Sequence, residues 1–149
     1  MKYLFDSNIV SDIYNLSSFN HTAVIKKLLG LTENDDIFIS ILTLYEFEYA
    51  FANSPEHKKS VIKNTIQQIQ QDFIVLSLSP IEAEIFGDLK KSLKELRNIN
   101  PNNLKKHTVD LMIAASALNH NTVLVSADRI YHDIQLINSE LKLENWINP

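Results

Sequence analysis

Four short apolar runs punctuate the chain: Tyr3-Leu4-Phe5, Ile37-Phe38-Ile39, Phe73-Ile74-Val75-Leu76 and Val123-Leu124-Val125. Branched and aromatic side chains dominate them, which predicts strands. None alternates polar with apolar residues, the pattern of strands covered on both faces. A fifth run, Leu141 to Ile147, does alternate and suits a sheet edge. Between these runs, helical spacing of apolar residues predicts helices over about 8–16, 21–30, 41–53, 56–71, 80–98 and 108–120.

Breakers agree with these limits. Pro55 and Pro80 suit first helical turns, residues 98–103 around Pro101 read as a loop, and Asn121 suits the cap of the helix ending at His120. Strand and helix therefore alternate, and the expected fold class is α/β, a three-layer α/β/α sandwich around a mostly parallel sheet of about five strands.

In such sheets a ligand crevice lies beyond the carboxyl ends of the strands. Asp6 directly follows the first run, and Asp128 comes three residues after Val125. Ser40 follows the second run and can cap the helix that carries Glu46. Asp110 stands in the first turn of a helix that is apolar almost all round, on one face with Ile113, Ala114 and Ala117. Each acid has a plainer explanation: a helix cap for Asp6, a helix-dipole partner for Asp110, and a carboxyl reaching for solvent in the case of Glu46. What those explanations do not predict is four acids at strand ends and on apolar helix faces together.

Carboxylates forced together repel, so some must protonate or a cation must hold them. Oxygen-only ligands favour Mg²⁺ or Mn²⁺. Zinc has little support, because Cys is absent and the five His residues show no paired-ligand spacing. An acidic site with such ions can activate water and stabilise the oxygens of an in-line phosphodiester displacement, which is what a nuclease needs.

Composition narrows the alternatives. With 149 residues, 45% hydrophobic and 21% charged, the chain fits one domain over 1–149 that buries roughly two thirds of its unfolded surface. Two Gly residues cannot build a Walker loop or a dinucleotide fingerprint, and no Gly-x-Ser-x-Gly elbow occurs. The apolar run at the start is too short for a signal peptide's core, and no membrane-length apolar stretch appears, so a cytoplasmic location and no membrane partner are expected.

A net charge of −4 argues against general attraction to nucleic acid. The cations are nevertheless concentrated. Lys90, Lys91, Lys94, Arg97, Lys105 and Lys106 face only Glu95 between Lys90 and His107, a stretch that is either a solvated face or a track for RNA phosphates.

The blocks Tyr3-Leu4-Phe5-Asp6-Ser7-Asn8, Ile39 to Glu46, Asp110 to Leu118 and Leu124-Val125-Ser126-Ala127-Asp128, with the terminal Leu143-Glu144-Asn145-Trp146, resemble the PIN domain, specifically the compact VapC-type toxins of bacterial toxin–antitoxin modules. The resemblance spans nearly the whole chain. It implies Mg²⁺- or Mn²⁺-dependent cleavage of an RNA substrate, frequent homodimers and inhibition by a cognate antitoxin protein. It further implies that Asp6 and Asp110 are the principal metal ligands, Glu46 a ligand or water-orienting base, and Asp128 a second-metal or outer acid, with Asp133 as the substitute for Asp128. Ser7 and Ser126 stand where the family often has Thr, and Asn8 can hold the acids or a phosphate. Two other readings remain at this stage: a PIN-like protein that binds without catalysis, and a DNA-directed or structure-specific nuclease.

Overall fold

In the computed structural model, which describes all 149 residues, each apolar run becomes a strand of one parallel sheet. The chain runs β1 (Lys2–Phe5), α1 (Ser7–Tyr14), α2 (His21–Leu29), β2 (Asp36–Ser40), α3 (Ile41–Ala52), α4 (Glu56–Asp72) and β3 (Ile74–Leu76). It continues through α5 (Pro80–Arg97), α6 (Pro101–Lys105), α7 (Thr108–His120), β4 (Val123–Val125), α8 (Ile130–Ile137) and β5 (Lys142–Glu144). The strand order is β3-β2-β1-β4-β5, and every pairing is parallel.

The two-residue period of β structure divides the core. Leu4 and Leu124 face one side, where Leu93, Leu111, Ile113, Tyr131 and Ile134 from α5, α7 and α8 cover them. Tyr3, Phe5, Val123 and Val125 face the other, under Ile9, Val24 and Ile69 from α1, α2 and α4. The result is the expected three-layer sandwich. Trp146, beyond the last strand, closes the second side with its ring edge-on to Tyr3 and Phe5, at centroid distances of 5.5 and 5.0 Å.

Burial on both faces holds for β1 and β4, and in the third inner strand, β2, only for Ile39 and Ser40. It does not hold for β3, which is an edge strand with Ile74 half exposed, so an unbroken apolar run overstated its cover. The alternating fifth run is the opposite edge, as its pattern indicated, though shortened to Lys142–Glu144. Two helices depart from expectation. Residues 101–105 form the short α6, started by Asn100 capping the Asn103 N–H at 3.0 Å, where a loop was expected, and α8 was not anticipated. Pro80 opens α5 as expected, while Pro55 sits one position outside α4. Asn121 ends α7 in the left-handed region at φ 51°, which Asn tolerates better than most residues. No helix is long and apolar enough to cross a membrane.

One buried acid fastens the first helical layer. Glu82 is 4% exposed and receives hydrogen bonds from the hydroxyls of Ser79, at 2.6 Å, and Ser116 of α7. Ser79 Oγ in turn accepts the Glu82 N–H at 3.3 Å, which caps α5. Glu82→Ala leaves the Ser116 hydroxyl buried without its acceptor and should cost about 2–4 kcal/mol. Glu82→Gln, which keeps an acceptor, should cost about half as much. Urea unfolding of both variants checks this, and equal losses would mean that an amide of the same volume cannot replace the carboxylate that accepts both hydroxyls.

Candidate active site

The strand order reverses direction between β1 and β4, and beyond their carboxyl ends lies the topological switch point where open α/β sheets bind ligands. Asp6 occupies it because β1 ends there and α1 begins. Its backbone N–H donates to the Val125 carbonyl at 3.1 Å, extending the β1–β4 ladder by one bond. Its carboxylate caps α1 by accepting the Ser7 N–H at 2.9 Å, and its second oxygen accepts the Ser126 hydroxyl, also at 2.9 Å. The cap role is therefore real, and it uses only part of the carboxylate's acceptor capacity.

Ser126 relays this contact to the next acid. The Asp128 N–H donates to Ser126 Oγ at 3.1 Å, and Asp128 Oδ1 accepts the Ile130 N–H at 3.1 Å, so the turn that starts α8 also positions Asp128. Asp110, in the first turn of α7, faces His107 Nδ1 at 3.3 Å, with the Tyr131 hydroxyl 3.5 Å from its other oxygen. Glu46 enters from α3, whose start is fixed by Ser40 accepting the Leu42 N–H at 3.1 Å. It stands at the exposed rim, near Ser7, whose hydroxyl meets the buried Thr43 Oγ1 at 3.0 Å. Asn8 is exposed and opens, with Asp128 and Asp12, onto a cleft of about 380 Å³.

The acids feel one another. Burial, at 6% residual exposure, pushes the Asp6 carboxyl up to about 6; the bonds from Ser126 and Ser7 oppose this, and the charges of Asp110 and Glu46 add to it. Asp110 is raised by burial against the pull of His107, with Asp128 raising it further. Glu46 is raised by desolvation, which the Ser7 hydroxyl opposes, and by Asp110. The buried Tyr131 phenol is held well above its ordinary range by burial and by Asp6, Asp110 and Asp128, so it remains a hydrogen-bond donor.

No Lys or Arg pairs with any of these four carboxylates. An all-oxygen donor set with no Lys or Arg, and His107 at Asp110 alone, fits a hard divalent cation such as Mg²⁺ or Mn²⁺. The side chains do not close three at a time on a single point, so a ready-made cage of four ligands is not what the fold provides. That arrangement suits Mg²⁺, which keeps several waters and takes one or two carboxylates directly.

Two of the candidate residues pair with each other. Asp133, the substitute for Asp128, is ion-paired with Arg97. For the same reason Arg97 does not contribute a free charge to a basic track. Lys91, Lys94, Lys105 and Lys106 are exposed, and Lys90 lies over the Phe86 ring at 5.7 Å. Tyr131, Thr43 and the contact of His107 with Asp110 were missed. Only Tyr131 left a usable trace, three residues after Asp128 in an apolar helical pattern with Ile130 and Ile134.

The raised Asp6 pKa sets a sign for stability. The folded protein holds the proton up to about pH 6, whereas the unfolded chain releases it near the ordinary value of 3.8, so this group's contribution is full below that value and is lost as pH rises through 6. In chelator, the difference in unfolding free energy between wild type and Asp6→Asn, read from urea titrations, should therefore shift in favour of the variant across pH 4 to 6.5, by on the order of 2 kcal/mol. A difference independent of pH would show that Asp6 is not strained by ionisation.

No curated protein sequence matches the chain. Several solved structures share its fold along its full length. VapBC2 from Rickettsia felis, bound to a DNA fragment from its promoter, matches at 25% identity and a TM-score of 0.77, with 98% of this chain and 99% of that one covered. VapBC-1 from nontypeable Haemophilus influenzae matches at 23% identity and 0.75, covering 98% of both chains. FitAcB from Neisseria gonorrhoeae matches at 20% and 0.78, covering 99% of both. The family model of the PIN domain matches residues 3–136, nearly the whole sandwich together with its acidic edge. The chain belongs to the PIN-domain family.

Proposed function

We propose that this protein is a divalent-metal-dependent endoribonuclease and the toxin of a VapBC-type toxin–antitoxin pair, with a cognate antitoxin as its protein partner. One observation carries the catalytic part: four mutually repelling carboxylates, one of them buried, meet at the β1–β4 switch point with no Lys or Arg to balance them. Family membership supports a nuclease, and the VapBC complexes among the similar structures support the antitoxin.

Asp6 and Asp110 would hold Mg²⁺ or Mn²⁺, with Asp128 as an outer acid or the ligand of a second ion. The bound cation supplies charge balance and Lewis-acid polarisation of a phosphodiester oxygen. The remaining work belongs to the chain. Glu46, at the rim and raised toward neutrality, accepts the proton of the attacking water, whose oxygen bonds to phosphorus as one P–O ester bond breaks. Ser7 and Ser126 hold both Asp6 oxygens in place, and the Tyr131 hydroxyl does the same for Asp110.

Asp110→Asn separates this role from a purely structural one. The amide keeps the acceptor that a helix start needs while removing the charge that a cation needs. Metal-free stability should stay level or rise slightly, because repulsion is relieved, while Mg²⁺-dependent cleavage of a mixed RNA pool falls about a hundredfold or more. Wild type should also gain roughly 2.7 kcal/mol at a hundredfold excess of the ion over its dissociation constant. Asp6→Asn with Asp110→Asn should lose that gain. Near-wild-type cleavage by the folded Asp110→Asn protein would end the proposal.

A further inference from the structure

Next to the acids, the fold builds a cleft made mostly of hydrogen-bond donors. After β4 the chain turns at Ala127, and two clefts meet there: the one that holds Asp128, and a second of about 490 Å³ lined by Arg97, Arg129, His132, Asp133, Asn145 and Asn148. Asp133 is the only acid in the second cleft, and its charge is spent on Arg97. Arg129 forms no ion pair and is exposed, as is His132. Asn145 Oδ1 accepts the N–H groups of Ile147 and Asn148, both at 2.9 Å, which fixes the amide and leaves its NH₂ group for an outside acceptor. No Phe, Tyr or Trp lines the cleft, so what it offers is chiefly charge and hydrogen-bond donors.

We propose that this cleft is a backbone-phosphate subsite for single-stranded RNA, with Arg129 as its main contact and His132 and Asn145 as supporting donors. The inference rests on the ribonuclease reading and adds the side from which the strand approaches. Ala127 is common to this cleft and to the one that holds Asp128, so a strand held at Arg129 continues toward the acid loop. A contact of this kind positions the substrate without reading its sequence. Arg97 belongs to the frame of the subsite: its pairing with Asp133 joins α5 to α8 and leaves Arg129 as the free guanidinium beside the acid loop.

The test uses the full-length protein. In an Asp6→Asn background, which prevents cleavage, binding of a fluorescein-labelled 12-nucleotide single-stranded RNA is followed by anisotropy over a salt series. Arg129→Gln should raise Kd about five- to tenfold and reduce the salt slope by about 0.7, the share of one phosphate on a single strand. Single-stranded DNA of the same length should show the same losses, since the contact ignores the ribose. Lys26→Gln, in a separate cleft near Trp146, should change neither quantity. In the cleaving protein, Arg129→Gln should raise KM and leave kcat within about twofold. Unchanged KM and salt slope in Arg129→Gln, when wild type cleaves RNA, would overturn the subsite and leave the ribonuclease reading standing. Loss of binding to a poly-glutamate peptide with RNA affinity unchanged would also overturn it, assigning the cleft to an acidic protein partner. A wild-type protein that neither binds nor cleaves RNA would remove both readings together.

Discussion

A carboxylate buried at the carboxyl edge of a parallel sheet needs hydrogen bonds, a counter-charge or a proton, and Asp6 receives only the first, one donor to each oxygen. The rest of the acidic edge is arranged around that constraint. The Ser7 N–H and the Ser126 hydroxyl stabilise the ionised form, yet burial outweighs them and the charges of Asp110 and Glu46 press the same way. The backbone makes this unavoidable. Asp6 is tied to Val125 through the sheet and to α1 through its cap, so it cannot swing out to water without undoing the β1–β4 edge.

Much of this was legible in sequence because strand ends are local events. Tyr3-Leu4-Phe5 and Val123-Leu124-Val125 announce inner strands, and an acid one or three residues later must lie at their carboxyl edge whatever the loops do. Asp110 was legible for a different reason: the all-round apolar character of 108–120 requires burial, and a carboxylate on such a helix has few ways to remain ionised.

The parts that failed depend on pairings between distant residues or on signals too short to carry a period. Helix α8 has only Ile130, Tyr131 and Ile134 buried in eight residues, and the turn residues before it mask its start. Missing α8 hid Tyr131 and left Asp128 and Asp133 undecided, because on a loop either can reach the site. On a helix that Asp128 caps, Asp133 lies more than a turn away and meets Arg97 from α5 instead. Nothing in the run Lys90 to Lys106 marks Arg97 as the cation with an internal partner. The edge position of β3 was likewise invisible, since β3 and β4 read alike as apolar runs and only the strand order distinguishes them.

Glu82 shows why burial of an acid is not enough to mark a site. It is as buried as Asp6, and it too begins a helix, yet hydroxyls serve both of its oxygens and His120 Nε2 lies 3.9 Å away. Its environment completes it, and its work is to join α5 to α7. Asp6 has a similar complement of donors but shares its surroundings with further acids and no Lys or Arg. The difference between a structural and a functional carboxylate here lies in what is left unbalanced after the local hydrogen bonds are counted. For Asp6 that remainder is negative charge pressed by Asp110 and Glu46, with no Lys or Arg paired to it and the nearby His107 directed at Asp110 instead.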